Sequence, residues 1–282
     1  MTITLRRAAL VGLLFTATLD PAFLRAQERS PSTAPLLTPE QMEDFLLNAK
    51  IVTTRGVSVG INNTRRATLS DGALTHDAHV QIVDVSRPVF VPQKGPTEVN
   101  FRDTYRYNIA GYRLAKLLGL DNVPMSVERN FQGRSAAITW WIDDVLMDEG
   151  KRKGKPVPGW PPTKIAGYIH VMRVFDELIA NNDRNAGNML WTTDGKLWLI
   201  DHTRAFRLHS DVRRPKLLER IDRDLFAAMK ALTRESLTRI VGGTLTRYEV
   251  EALLERRDGI VALFTEKIAE RGEAAILYSL ER

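Results

Sequence analysis

Residues 180–206 read ANNDRNAGNMLWTTDGKLWLIDHTRAF. The amphipathic pattern upstream runs out at Ala180-Asn181-Asn182, so residues 183–188 lie on a turn. Residues 189–191 and 197–200 are apolar and flank Thr193-Asp194-Gly195-Lys196, which predicts strand, two-residue turn, strand. Such a hairpin returns Asp201 to the end where Asn188 begins, and Asp183, five residues earlier, reaches the same spot. One amide oxygen and one carboxylate suit Mg²⁺, which prefers a few hard oxygens completed by water and phosphate. The remaining carboxylate is then available to accept a proton from an attacking hydroxyl. Asn and Asp also favour turns by bonding nearby backbone. That accounts for the composition of the stretch but not for the convergence of its two ends.

Leading into this stretch, Thr163 to Asn182 carries Ile165, Ile169, Met172, Phe175, Leu178 and Ile179 at helical spacing. Residues 216–282 read as helical, punctuated by Gly242-Gly243. Upstream, residues 51–85 are dense in Val, Ile and Thr and broken at Gly-Ile-Asn-Asn and Ser-Asp-Gly, which predicts two or three antiparallel strands. Residues 88–96 read as a loop. A helix follows in DTYRYNIAGYRLAKLLGL, capped by Asp103 or Thr104, and a second hairpin spans NVPMSVERNF and RSAAITWW. The order is β-rich with one helix, then mainly helical.

The first residues, MTITLRRAALVGLLFTATLDPAFLRA, join a basic start to an apolar run of about twelve residues closing on small side chains, the form of a secretory signal. Residues 1–26 are therefore expected to be a signal peptide. Residues 27–49 are expected to be a linker and a short helix capped by Thr38, and the mature protein to be exported, periplasmic or secreted. The chain has 282 residues and no cysteine, which excludes disulfides and thiolate metal sites. Its formal charge is +6, of which +2 falls in the first 26 residues. The remainder is spread over mixed-sign segments, which fits a phosphorylated ligand better than nucleic acid. No later stretch is apolar for the roughly 18 residues a membrane span needs. GVSVG has the form G-x-S-x-G but sits in strand context, without a nucleophile elbow. His76 and His79 lie three apart on a strand and point to opposite faces, so they do not share a metal.

The spacing Asp183, Asn188, Asp201 resembles the catalytic and metal-binding segments of the protein-kinase-like fold, in particular its phosphatidylinositol 3-/4-kinase-like branch. DRNAGN matches D-R-x-x-x-N, and LIDHTR stands where I-D-F-G would be. The resemblance implies a two-lobed α+β architecture, with an N-lobe over 50–142 and a C-lobe over 143–282. It implies Asp183 as catalytic base with Arg184 orienting the loop or screening phosphate, and Asn188 and Asp201 as metal ligands. ATP and Mg²⁺ (or Mn²⁺) would be bound, and the γ-phosphoryl group passed to a hydroxyl acceptor. Trp140 and Trp141 fall at the hinge, where Trp141 would line the adenine pocket. The fold's third-strand Lys and its Glu partner on the next helix are replaced by Gln81 and Asn108, an amide pair. Arg65 and Arg66, and more remotely Lys94, are the candidate replacements for the missing charge. The alternative expectation is a pseudokinase, a nucleotide-binding module without turnover.

Overall fold

A computed structural model describes residues 37–56, 64–92 and 97–281, and residues 38–282 form one compact unit. The expected signal and most of the linker, Gly-Ile-Asn-Asn, and Lys94 lie outside the described residues. Helix α1 (Pro39–Asn48) begins as expected, with Thr38 and Gln41 forming a reciprocal capping box. Strands β1 (Lys50–Gly56), β2 (Arg65–Ser70) and β3 (Thr75–Gln81) follow as an antiparallel meander. The β2–β3 turn is closed by Asp71, whose carboxylate accepts the amides of Ala73 and Leu74.

The chain then departs from expectation. Residues 88–90, read as the start of a loop, instead continue a strand, and β4 (Asp84–Phe90) pairs with β5 (Glu98–Thr104) in a separate two-stranded ribbon. Pro88 disguised it, since proline in a strand argues against a central position. In a two-stranded ribbon both strands are edges, so the missing N–H is tolerated, and Asn100 bends the partner strand with φ +51.

Helix α2 (Arg106–Leu117) comes next, its first amide accepted by the Thr104 hydroxyl. Strands β6 (Ser126–Phe131) and β7 (Arg134–Trp140) form the second expected hairpin. Its turn residues Gln132 and Gly133 both have positive φ, the form whose twist matches a hairpin. They complete a five-stranded antiparallel sheet of order β1-β2-β3-β7-β6. One face carries Ala67, Val80 and Ile138 and packs on Phe45 and Leu46 of α1. The other carries Ala137, which packs on Tyr105 and on Ile109 of α2.

Strand β8 (Val145–Asp148), the single turn α3 (Glu149–Arg152) and the long α4 (Pro162–Leu178) open the second half. Strands β9 (Met189–Thr192) and β10 (Leu197–Leu199) form the hairpin expected from the opening stretch, and β8 joins as a third strand. Its loop holds three residues rather than two, because Thr192 pairs with Lys196 and Gly195 takes φ +81. Beyond it, β11 (Ile221–Asp222) pairs in parallel with β12 (Leu277–Tyr278) around α5 (Arg223–Ala231), α6 (Arg234–Val241), α7 (Arg247–Arg271) and α8 (Glu273–Ile276). The large apolar core of this half draws on α4, α5, α7 and the β9–β10 hairpin, and takes in Leu114 and Leu118 at the end of α2.

Candidate active site

The turn after α4 is organised by a buried guanidinium. Arg184 bonds Asp176 through Nε and Nη2, both at 2.9 Å. Its Nη1 donates to the carbonyls of Asn188 and Ile200, at 3.1 and 2.6 Å. Its Nη2 also meets His202 Nε2 at 3.1 Å. The Arg184 side chain is 6% exposed, so it holds the loop together and leaves nothing over to screen a ligand. Asn181 supports the same turn, accepting the Asp183 amide at 3.1 Å while its own NH₂ reaches Asp176.

Asn188 and Asp201 do meet at one end of the hairpin: the Ile200 amide donates to the Asn188 carbonyl at 3.1 Å, continuing the β9–β10 register. Asp201 is exposed and sits at φ +56, a left-handed conformation that costs a non-glycine residue energy and turns its carboxylate out of the strand. Its Oδ1 accepts from the Thr203 hydroxyl at 3.1 Å. Its Oδ2 and the Asn188 side chain make no hydrogen bond among the described residues, so these are the uncommitted hard oxygens. Among the described residues no group of three or more His, Asp or Glu side chains is close enough to enclose a metal by itself. An amide and a carboxylate with free lone pairs fit an ion that takes its other ligands from water and phosphate.

Asp183 is about half exposed, and its Oδ1 pairs with Arg204 Nη1 at 3.1 Å. Burial pushes its carboxyl above the ordinary aspartate range. Arg204 opposes that shift, and the nearby charges of Asp201, Asp103 and Glu98 add to it. Arg204 is held in turn by Glu98 of β5 (Nη2–Oε1, 2.8 Å), which also takes Arg207 (Nη2–Oε2, 2.8 Å).

On the sheet, directly paired residues share a face. Arg66 pairs with His79 and His79 with Thr139, while Arg65 pairs with Val80 on the α1 side. Arg65 and Arg66 therefore cannot serve the same site, and Arg65 points away from the cleft. Arg66 is committed as well, in an ion pair with Asp77 and with its guanidinium 4.1 Å from the Trp141 ring centre. Trp141 thus lies on the cleft side beneath Arg66, and Trp140 packs with Phe45 and His76 toward α1.

The expected amide pair does not form. The Gln81 oxygen accepts from its neighbours Ile82 and Val83. The Asn108 oxygen accepts the His202 amide at 2.7 Å. Gln81 is at a strand end where free backbone amides compete for it, and Asn108 finds a nearer donor across the lobes. The β3 side chain that feels Asp201 is instead His79. Burial holds its pKa below the usual value, against the opposing charge of Asp201. His202 is buried and kept neutral by burial first and the Arg184 charge second. It seats against α2, where a Cβ on Gly111 would come within 3.3 Å of its ring.

By sequence, neither a protein-family model nor a curated protein matches the chain. By structure, hydra Fam20, solved with sugar, matches over 85% of this chain and 92% of its own, at TM-score 0.65 and 14% identity. The fold is protein-kinase-like. The Golgi casein kinase agrees, covering 84% of this chain and 78% of its own at TM-score 0.58 and 14% identity. The Helicobacter pylori proinflammatory kinase CtkA also aligns, at TM-score 0.47 and 12% identity, over 78% of this chain and 98% of its own. In this two-lobed, kinase-like frame the five-stranded sheet with α2 is the upper part and the helices from α4 onward the lower. Asp183, Asn188 and Asp201 lie where the two meet. Reasoning from sequence sets His79 aside as a metal ligand and gives no role to Glu98, Arg204 or Arg207. Arg204 and Arg207 were visible as cations three and six residues past Asp201, but Glu98 gave no signal, because only the ribbon's fold brings it there.

Proposed function

We propose that the chain is a kinase-like phosphotransferase, moving the γ-phosphoryl group of ATP to a hydroxyl acceptor with Mg²⁺, or Mn²⁺ in its place. The observation that carries this reading is the left-handed Asp201 with a free oxygen beside an Asn188 side chain that has no partner among the described residues, one hairpin end away from Asp183. Asp183 hydrogen-bonds the acceptor hydroxyl and takes its proton as the acceptor oxygen bonds phosphorus and ADP departs. Asn188 and Asp201 would hold the metal, which when bound neutralises charge on the phosphate oxygens. Arg184 keeps the loop in register, and Trp141 offers a ring for the adenine. The upper lobe would run over 50–142 and the lower over 143–282.

The likeness of DRNAGN and LIDHTR to the phosphatidylinositol 3-/4-kinase-like branch rests on those residues alone, so a lipid is not preferred as acceptor. A sugar hydroxyl and a protein hydroxyl are the classes to try first, the former because the matched Fam20 was solved with sugar. Export rests on the signal-like pattern of residues 1–26. No helix among the described residues is long and apolar enough to cross a membrane. A second reading, nucleotide binding without turnover, is favoured by the separate partners of Gln81 and Asn108.

Purified protein with Mg²⁺ and radiolabelled ATP is expected to transfer or hydrolyse phosphate, and Asp201→Ala to abolish it. Inert wild type that ATP nonetheless stabilises against heat would establish the second reading. No thermal shift with either metal would sink both.

A further inference from the structure

A triphosphate needs positive charge, and most cations of the cleft are occupied elsewhere. Arg184 spends its donors on Asp176, Asn188, Ile200 and His202. Arg66 is tied to Asp77 and Trp141. Arg204 differs. It is 24% exposed at the cleft, and one arm lies 3.1 Å from Asp183. Arg204 Nε and Arg207 Nε and Nη1 are buried without a hydrogen-bond partner among the described residues. The pair therefore has donor capacity that Glu98 and Asp183 leave unused.

We propose that Arg204 is the phosphate-facing cation of this site, supplied from the lower lobe, and that Glu98 of the β4–β5 ribbon parks it on Asp183 when no phosphate is present. The inference rests on the kinase reading above. Glu98 bridges both guanidiniums with separate oxygens, as a phosphate bridges arginines. The ring of Phe101 lies 5.0 Å from Arg204 and 5.1 Å from Arg207, limiting the directions in which either can swing. A phosphate oxygen entering beside Asp183 competes for Arg204 Nη1, and its capture frees Asp183 to engage the acceptor.

Calorimetric titration of purified protein with ATP and with adenosine, both with Mg²⁺, tests this. Arg204→Ala is expected to weaken ATP binding about tenfold or more while leaving adenosine unchanged, since only a charge-assisted phosphate contact is lost. Arg204→Lys keeps the charge without the fork and should fall between. Glu98→Gln removes the competing anion and should tighten ATP severalfold. If Arg204→Ala binds ATP like wild type, the inference fails and the kinase reading stands. Equal loss of adenosine and ATP would make Arg204 merely structural, and unchanged ATP affinity in Glu98→Gln would remove the parking role. Wild type that binds no ATP overturns both the inference and the reading beneath it.

Discussion

At Asp183 folding raises the carboxyl pKa, because burial and three neighbouring carboxylates outweigh one arginine. A pKa raised above its unfolded value of 3.8 means that ionisation costs the folded state stability. The cost is absent well below pH 3.8, grows as pH rises toward the raised value, and is fully present above it. Asp183→Asn should therefore melt above wild type at pH 8, with the difference shrinking toward pH 3.5, while losing transfer activity. Thermal melts of both proteins across that range check it, and a pH-independent difference would contradict the electrostatic account. Asp183, Asn188 and Asp201 were legible in the sequence because their convergence needs only one local hairpin. Glu98 was not, because its contact with Arg204 spans about a hundred residues.

Helix α2 shows how an element can be found by periodicity and yet be misjudged in its contacts. Tyr105, Ile109 and Leu118 are buried along the expected helix, but the polar position Asn108 bonds the His202 backbone and not the sheet. Gly111 leaves the space that the His202 ring fills. Alanine in place of a helix-interior glycine ordinarily gains about 1 kcal/mol. Here the new Cβ would lie 3.3 Å from a His202 ring held by Arg184 on one side and packed against Phe175 on another. Gly111→Ala should lower the melting temperature, and a rise would show that His202 can shift. The β4–β5 ribbon is the element that sequence patterning lost, since Pro88 and the bend at Asn100 break the alternation that marks a strand.

Across the whole molecule the two lobes are joined by a buried carboxylate. Glu249, at the start of α7 and 3% exposed, accepts from Arg102 of β5 at 3.0 Å and from the Tyr107 hydroxyl of α2. Its other oxygen takes the Thr246 amide and hydroxyl at 2.6 and 2.8 Å. Glu249→Ala strands these donors and should cost roughly 3 kcal/mol by chemical denaturation. Glu249→Gln, which keeps an acceptor, should recover part of that. A loss below about 0.5 kcal/mol in the alanine variant would show that the clamp contributes nothing beyond an ordinary surface site.

The sequence alone is enough for most of the element order, though not for the β4–β5 ribbon or for β11 and β12, and for the hairpin that gathers Asn188 and Asp201. These depend on periodicity and turn residues over a few positions, where the chain's own covalent geometry limits the outcome. Only the tertiary structure decided which cations face the cleft. A strand's alternation sends Arg65 away, nearer partners claim Gln81, Asn108 and Arg66, and an inserted ribbon sets Glu98 against Arg204. Competition among partners distant in sequence decides such contacts, because a buried charge takes the nearest opposite charge the fold presents.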